Sequence, residues 1–228
     1  AYELTVIIQD GMRRMYEEKE NKFYYITTMN ENYLQPEMPV GAQEGIIKGL
    51  YCLRKSKKKK SGLSVDLIGG GTILREVEAA AEILEKDYKV ATTTWSMTSA
   101  NELHREGSAA QRWNRLNPEA EARLPYVTEC LQDAKGPVVA ATDYMKAYSD
   151  QIREFVPAPY VVLGTDGYGR SDTRSKLRQF FEVSREFIVV SALKALADEG
   201  SIEHKEVSKA MKALGVRGDK ADPTCVRV

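Results

Sequence analysis

Apolar positions near the start of the chain recur at helical spacing. Leu4, Ile7, Ile8, Gly11, Met12 and Met15 share one face, so the opening segment predicts a helix. Residues 22–29, KFYYITTM, are few and rich in aromatic and β-branched side chains, the composition of a strand. A polar loop with two prolines follows over residues 30–39, and residues 42–53 read as a second helix. This helix–strand–loop–helix order predicts the closing piece of an α/β layer.

The pattern then restarts. Residues 54–62, RKSKKKKSG, predict a solvated linker at a domain boundary, dividing residues 1–60 from residues 61–228. Phosphate or nucleic-acid binding by that run is disfavoured, because no aromatic side chain interleaves with the charges. Residues 64–68 form an apolar strand that runs into Gly69, Gly70, Gly71 and Thr72. The helix after them carries Ile73, Val77, Ala80, Ala81, Leu84 and Tyr88 on one face. Residues 89–98 predict the next strand, and residues 101–135 an irregular, helical stretch with Trp113 and breaks at Pro118 and Pro125. Residues 137–141 form a further strand, and Thr142 is a plausible N-cap for a helix carrying Met145, Tyr148, Ile152 and Phe155. Residues 160–163 make another strand, leading into the loop GTDGYGRSD, residues 164–172. There Asp172 is the expected cap of a short helix with Leu177, Phe180 and Phe181. Ser184 opens the next helix and Gly200 ends it; a last helix carries Val207, Met211 and Leu214, with Gly215 after it. The polar tail from Arg217 is expected to fray. Strands alternating with helices give an α/β fold, a mostly parallel sheet with helices on both faces.

Charge and cysteine content narrow the function classes. Lys plus Arg and Asp plus Glu both number 33, so no net charge draws the chain to nucleic acid or an anionic membrane. No apolar run is long enough to predict a membrane span. Cys52, Cys130 and Cys225 are far apart and fit neither a zinc site nor a disulfide framework, which suits a reducing, cytoplasmic compartment. The chain begins with Ala1 and no leader pattern, so the reading expects a mid-protein helix with further chain before it.

Candidate chemistry is sparse. Gly69, Gly70 and Gly71 open a helix, where backbone N–H groups could hold an anion. Leu74 stands where the last glycine of a dinucleotide fingerprint would be, and a tight turn is the favoured reading. Loop 164–172 concentrates Asp166, Arg170 and Ser171 after a strand; it reads equally as a ligand loop and as an interface loop. Loop residues Asn30, Glu31, Asn32 and Tyr33 also follow a strand, and a buried Glu31 could move protons. His104 and His204, the two histidines, have no partner at ligand or dyad spacing and read as solvated.

Longer strings carry more. FYYITTMNENYLQPEMPVGAQEGIIKGLY, MTSANELHREG, QRWNRLNPEAEARLPYV and ATDYMKAYSDQIREFVPAPYVVLGTDGYGRSDTRSKLRQFFEV occur in that order. Together they resemble the C-terminal portion of homodimeric pyruvate dehydrogenases, the decarboxylating first components of the pyruvate dehydrogenase complex. The resemblance implies the end of a pyrimidine-binding-type middle domain followed by a transketolase-type C-terminal domain. It implies an oxidoreductase of glycolytic carbon that decarboxylates pyruvate on thiamine diphosphate and acetylates a lipoyl group on an acyltransferase partner. Magnesium and the diphosphate are held in the family by a G-D-G…N-N segment. Here GTDG at Gly164 has an extra residue and no Asn pair follows, so cofactor and metal ligands are expected outside this chain, and the chain alone is expected to be inactive. Residues 30–34 correspond to a loop lining the substrate channel, and Leu34 stands where the family usually has histidine. Leucine cannot handle protons. Divergence, another 2-oxoacid and loss of activity stay open, as do a non-catalytic dimerisation module and a transketolase-type enzyme using another ketoacid or sugar.

Overall fold

A computed structural model describes residues 2–56 and 62–225. Most of the basic run therefore lies outside the described residues. Helix α1 (Tyr2–Met12) continues into a π-helical turn over Arg13–Glu17. Its expected apolar face is only partly covered, with Ile8 and Met12 exposed. Residues 22–29 form no strand. A strand needs a neighbour to take its N–H and C=O groups, and the described residues offer none here; Phe23 and Tyr25 are each 88% exposed.

The helix expected over residues 42–53 is cut short. Helix α2 (Gln43–Lys48) ends at Gly49, which sits at φ 104 in the left-handed region. A Cβ there would stand 2.6 Å from the Ser99 carbonyl oxygen, so the position needs glycine. The chain turns out of the helix and continues as strand β1 (Leu50–Lys55). Strand β2 (Ser64–Gly70) follows, then α3 (Leu74–Asp87), β3 (Ala91–Met97), α4 (Ala100–Leu116) and α5 (Tyr126–Leu131). The stretch expected to be irregular and helical holds a 17-residue helix, started by Ser99 accepting from the Glu102 N–H. Strand β4 (Val138–Ala141), α6 (Lys146–Asp150), β5 (Tyr160–Leu163), α7 (Arg174–Phe180), α8 (Arg185–Asp198) and α9 (His204–Leu214) complete the fold.

Two expected caps are corrected, and a third stands without a side-chain bond to the helix backbone. Thr142 does not open α6; its hydroxyl accepts from the Tyr144 N–H, and the helix begins four residues later. Thr173, not Asp172, caps α7, because its hydroxyl faces the Lys176 N–H while Asp172 accepts from Thr173. Ser184 precedes α8 as expected, but its hydroxyl donates to Glu186. The described part of the tail, residues 217–225, is anchored rather than frayed: Lys220 donates to the Phe180 carbonyl at 2.8 Å and to Glu182 at 3.0 Å.

The sheet order is β1-β3-β2-β4-β5, parallel except for β1, which pairs antiparallel with β3. Side chains alternate across β2, so Val65 and Leu67 face α3, α8 and α9 while Ile68 faces α4 and α5. Both faces are covered, as a parallel sheet requires. A smaller cluster of Ala42, Ile46 and Tyr51 packs α1 and α2 beside the sheet. Chain direction around β2 puts the crevice of an α/β sheet at the carboxyl ends of β2 and β4.

Candidate functional site

Loops after β2, β4 and β5 meet at that edge, and residues 27–34 lie against it. Thr27 and Tyr144, just beyond β4, share a hydroxyl–hydroxyl bond. Asn30 accepts from Arg174 in α7 at 2.7 Å. Glu31 accepts from Arg75 in the first turn of α3 at 2.8 Å and from Arg178 in α7 at 2.9 Å, and Arg174 lies 3.5 Å away. The Arg75 guanidinium also stands 4.7 Å from the centre of the Tyr33 ring, a cation–π contact. Asn32 is exposed, and Leu34 is 98% exposed.

Behind Glu31 the charges alternate inward. Arg178 also donates to Glu76 at 3.4 Å, and Glu76 accepts the Arg185 side chain at 2.9 and 3.1 Å and its backbone N–H at 3.1 Å. The inner members are well covered: the side chains of Arg178 and Glu76 are 14% and 9% exposed. Burial works against the charge on Glu31, yet Arg178 and Arg75 outweigh it and hold the carboxyl below the ordinary glutamate range. The same contest, with Arg185 and Arg178 winning over burial, holds Glu76 low. A carboxylate held ionised in this way accepts hydrogen bonds and has no proton to donate.

The glycine turn behaves as a turn. Gly71 takes φ 57, and a Cβ on Gly69 would stand 2.7 Å from the Leu74 Cα. Gly71, Leu74 and Arg75 line one side of a small cleft; Tyr33, Leu34 and Pro36 line the other. Asp143, beyond β4, also faces the turn, and burial pushes its carboxyl up.

The second candidate loop sits beside the first. Asp166 accepts from the Lys146 N–H at 2.9 Å, tying loop 164–172 to the start of α6. Arg170 lies 4.4 Å over the Phe180 ring, and Ser171 is exposed. This loop reaches Glu31 through α7, which it leads into. Held against a G-D-G…N-N segment, these residues do not fit a magnesium diphosphate. Asp166 accepts a backbone N–H and lies 4.0 Å from the Lys146 ammonium, and no group of three or more His, Cys, Asp or Glu among the described residues is arranged to hold a metal. The histidines stand apart from the site: His104 Nδ1 lies 2.9 Å from the Gln151 carbonyl, and exposed His204 lies 3.2 Å from Asp198.

Arg75, Arg174, Arg178, Glu76 and Arg185 are absent from the residues singled out by sequence. Their partners lie up to 147 positions away, and no local motif marks them.

Residues 49–184 match the transketolase-like TK C-terminal domain, and residues 1–36 match the pyruvate dehydrogenase E1 component middle domain. The pyruvate dehydrogenase E1 component of Pseudomonas aeruginosa is 55% identical over 98% of this chain and 25% of its own length. That of Escherichia coli strain K12 is 51% identical over 98% of this chain and 25% of its own length. The chain thus spans about a quarter of the length of these relatives, 25% in each case. Among solved structures, a transketolase of Pichia stipitis aligns with 73% of this chain and 20% of its own at 16% identity and a TM-score of 0.48, a likeness that adds nothing to the assignment. The chain belongs to the transketolase-like C-terminal domain family, in the form found in the C-terminal portion of pyruvate dehydrogenase E1 components.

Proposed function

We propose that this chain works as the C-terminal part of a thiamine-diphosphate-dependent pyruvate dehydrogenase first component. That oxidoreductase decarboxylates pyruvate and acetylates the lipoyl group of an acyltransferase partner. The supporting observation is 55% identity maintained over 98% of the chain, a span that takes in loop 30–34. Thiamine diphosphate and magnesium, which supply the carbanion-stabilising chemistry, are held by segments outside this chain. The isolated chain is inactive.

In this reading residues 1–48 close the middle domain, and the second unit starts at β1. The pairing of β1 with β3 supports a start ahead of the basic run rather than after it. Residues 22–29 find their strand partners in the rest of the middle domain, which explains why Phe23 and Tyr25 stand uncovered here. Loop 30–34 lines the substrate channel, and the loop with Asp166, Arg170 and Ser171 forms part of a subunit contact. The assembled enzyme is a cytoplasmic homodimer within a multienzyme complex and engages neither nucleic acid nor membrane.

One observation favours a second reading. Leu34 offers no proton at a channel position where the resemblance implies histidine. A transketolase-type enzyme for another 2-oxoacid or sugar, or a non-catalytic dimerisation module, would accommodate leucine. Full-length polypeptide supplied with thiamine diphosphate, magnesium, a lipoyl-bearing acyltransferase domain and either pyruvate or longer 2-oxoacids separates them. Pyruvate decarboxylation with lipoyl acetylation supports the first reading. Activity confined to another substrate, or none, refutes it.

A further inference from the structure

We propose that Glu31 is a positioning residue: a carboxylate latched by Arg75 and Arg178 that fixes the channel loop, residues 30–34, onto the transketolase-like domain. The latch rests on the reading of that loop as part of the channel, but its geometry stands independently.

Loop 30–34 belongs to no helix or strand, so side chains must hold it. Glu31 supplies both carboxylate oxygens: Oε1 to Arg75 of α3 and Oε2 to Arg178 of α7. Arg178 is a fork with one prong on each carboxylate, Nη2 on Glu31 and Nη1 on Glu76. Glu76 is itself clamped by Arg185 at the start of α8. The chain Glu31–Arg178–Glu76–Arg185 therefore ties the loop to α7, α3 and α8 in turn. An isolated ion pair at the surface contributes little because two long side chains must be frozen for it. Here Arg178 and Glu76 are already held by burial, so the added entropy cost falls on Glu31 and the more exposed Arg75. Two flanking contacts oppose rotation of the loop about that point: Asn30 on Arg174, and Tyr33 under Arg75. Leu34 follows three residues later, so its place in the channel is set by the latch.

The arrangement also restricts the chemistry open to Glu31. Arg75, Arg174 and Arg178 face it, with Glu76 and Asp143 reached through Arg178. A carboxylate among three guanidiniums stays ionised through the neutral range. Glu31 orients; it does not shuttle protons.

Two measurements test this, using Glu31→Gln, Glu31→Asp and Arg178→Lys. In the present chain, backbone 15N order parameters of residues 30–34 report the latch. Wild type is expected near the rigid value of about 0.85, with Glu31→Gln and Arg178→Lys falling below about 0.6. Lysine keeps the charge of Arg178 but cannot fork between two carboxylates. Unchanged order parameters in both variants would overturn the latch. In the full-length enzyme, Glu31→Gln is expected to raise the KM for pyruvate about tenfold or more through misplacement. The apparent pKa values of the kcat profile should be unchanged, and Glu31→Asp should recover part of the loss. Loss of kcat together with one limb of the pH profile identifies a proton carrier and overturns the proposal. Lowered order parameters with wild-type kinetics leave the latch standing and refute the channel reading instead.

Discussion

Arg178 places its guanidinium 2.9 Å from the carboxylate of Glu31, a residue 147 positions earlier in the chain. The same guanidinium reaches Glu76 at 3.4 Å, so one side chain joins the loop to helix α3 from its seat on α7. With the Arg75 and Arg174 contacts, it makes the loop part of the edge where the parallel strands end.

Glu76→Gln should weaken the fold. The amide keeps the shape but removes the charge facing Arg178 and Arg185, at a cost of about 1–3 kcal/mol for a charged hydrogen-bonded group left without its partner. The pH dependence follows from the same pairs. Because Glu76 and Glu31 are held below the ordinary glutamate pKa of about 4.3, the folded state binds fewer protons there. Their contribution is fully present above that pH and is lost as pH falls through the folded values. Urea unfolding at neutral pH should separate wild type from Glu76→Gln, and the gap should close on acidification. A gap independent of pH would contradict the ion-pair account.

Asp66 behaves in the opposite sense. Burial pushes its carboxyl up, against the Trp95 indole N–H that donates to it at 2.8 Å. The folded state therefore holds the proton longer than the unfolded chain does. Stability falls as pH rises from the ordinary aspartate value of about 3.9 through the raised folded value, and the penalty persists above it. Asp66→Asn keeps an oxygen for Trp95 and removes the charge. Its Tm should match wild type at about pH 3.5 and equal or exceed it at about pH 7. A lower Tm at neutral pH would show that the charge itself stabilises the sheet.

Leu34→His should leave stability within about 0.5 kcal/mol, since the side chain is almost fully exposed. If loop 30–34 lines the channel as proposed, in the full-length enzyme it adds there a group that titrates near neutrality. Acetyl transfer from pyruvate should rise, read as lipoyl acetylation per turnover. No gain would mean that Leu34 does not limit proton handling.

Much of the sheet was legible before the structure. Residues 64–68, 137–141 and 160–163 are apolar, β-branched runs bounded by glycine or proline, and all three are strands. The α3 stripe of Val77, Ala80, Ala81 and Leu84 is buried as its spacing implied. Strand β1 was hidden because Ile46, Leu50, Tyr51 and Leu53 continue an apolar run across Gly49, and a helical period fits that run as well as a strand does. Residues 22–29 carry the composition of a strand, but pairing is a property of two segments. The candidate site was legible only in outline. The resemblance pointed to residues 30–34, whereas nothing local separates Arg178 from Arg174 or Lys176 on the same helix. The partners that give Arg178 its role lie on elements brought beside it by the fold.

In the proposed function this chain is a scaffold whose reactive centre is completed by other segments. Isothermal titration of thiamine diphosphate with magnesium into the isolated chain tests it most directly, with the full-length polypeptide as reference. The expected result is saturable binding to the full-length polypeptide and none to this chain. Saturable, magnesium-dependent binding to the chain alone would contradict the account.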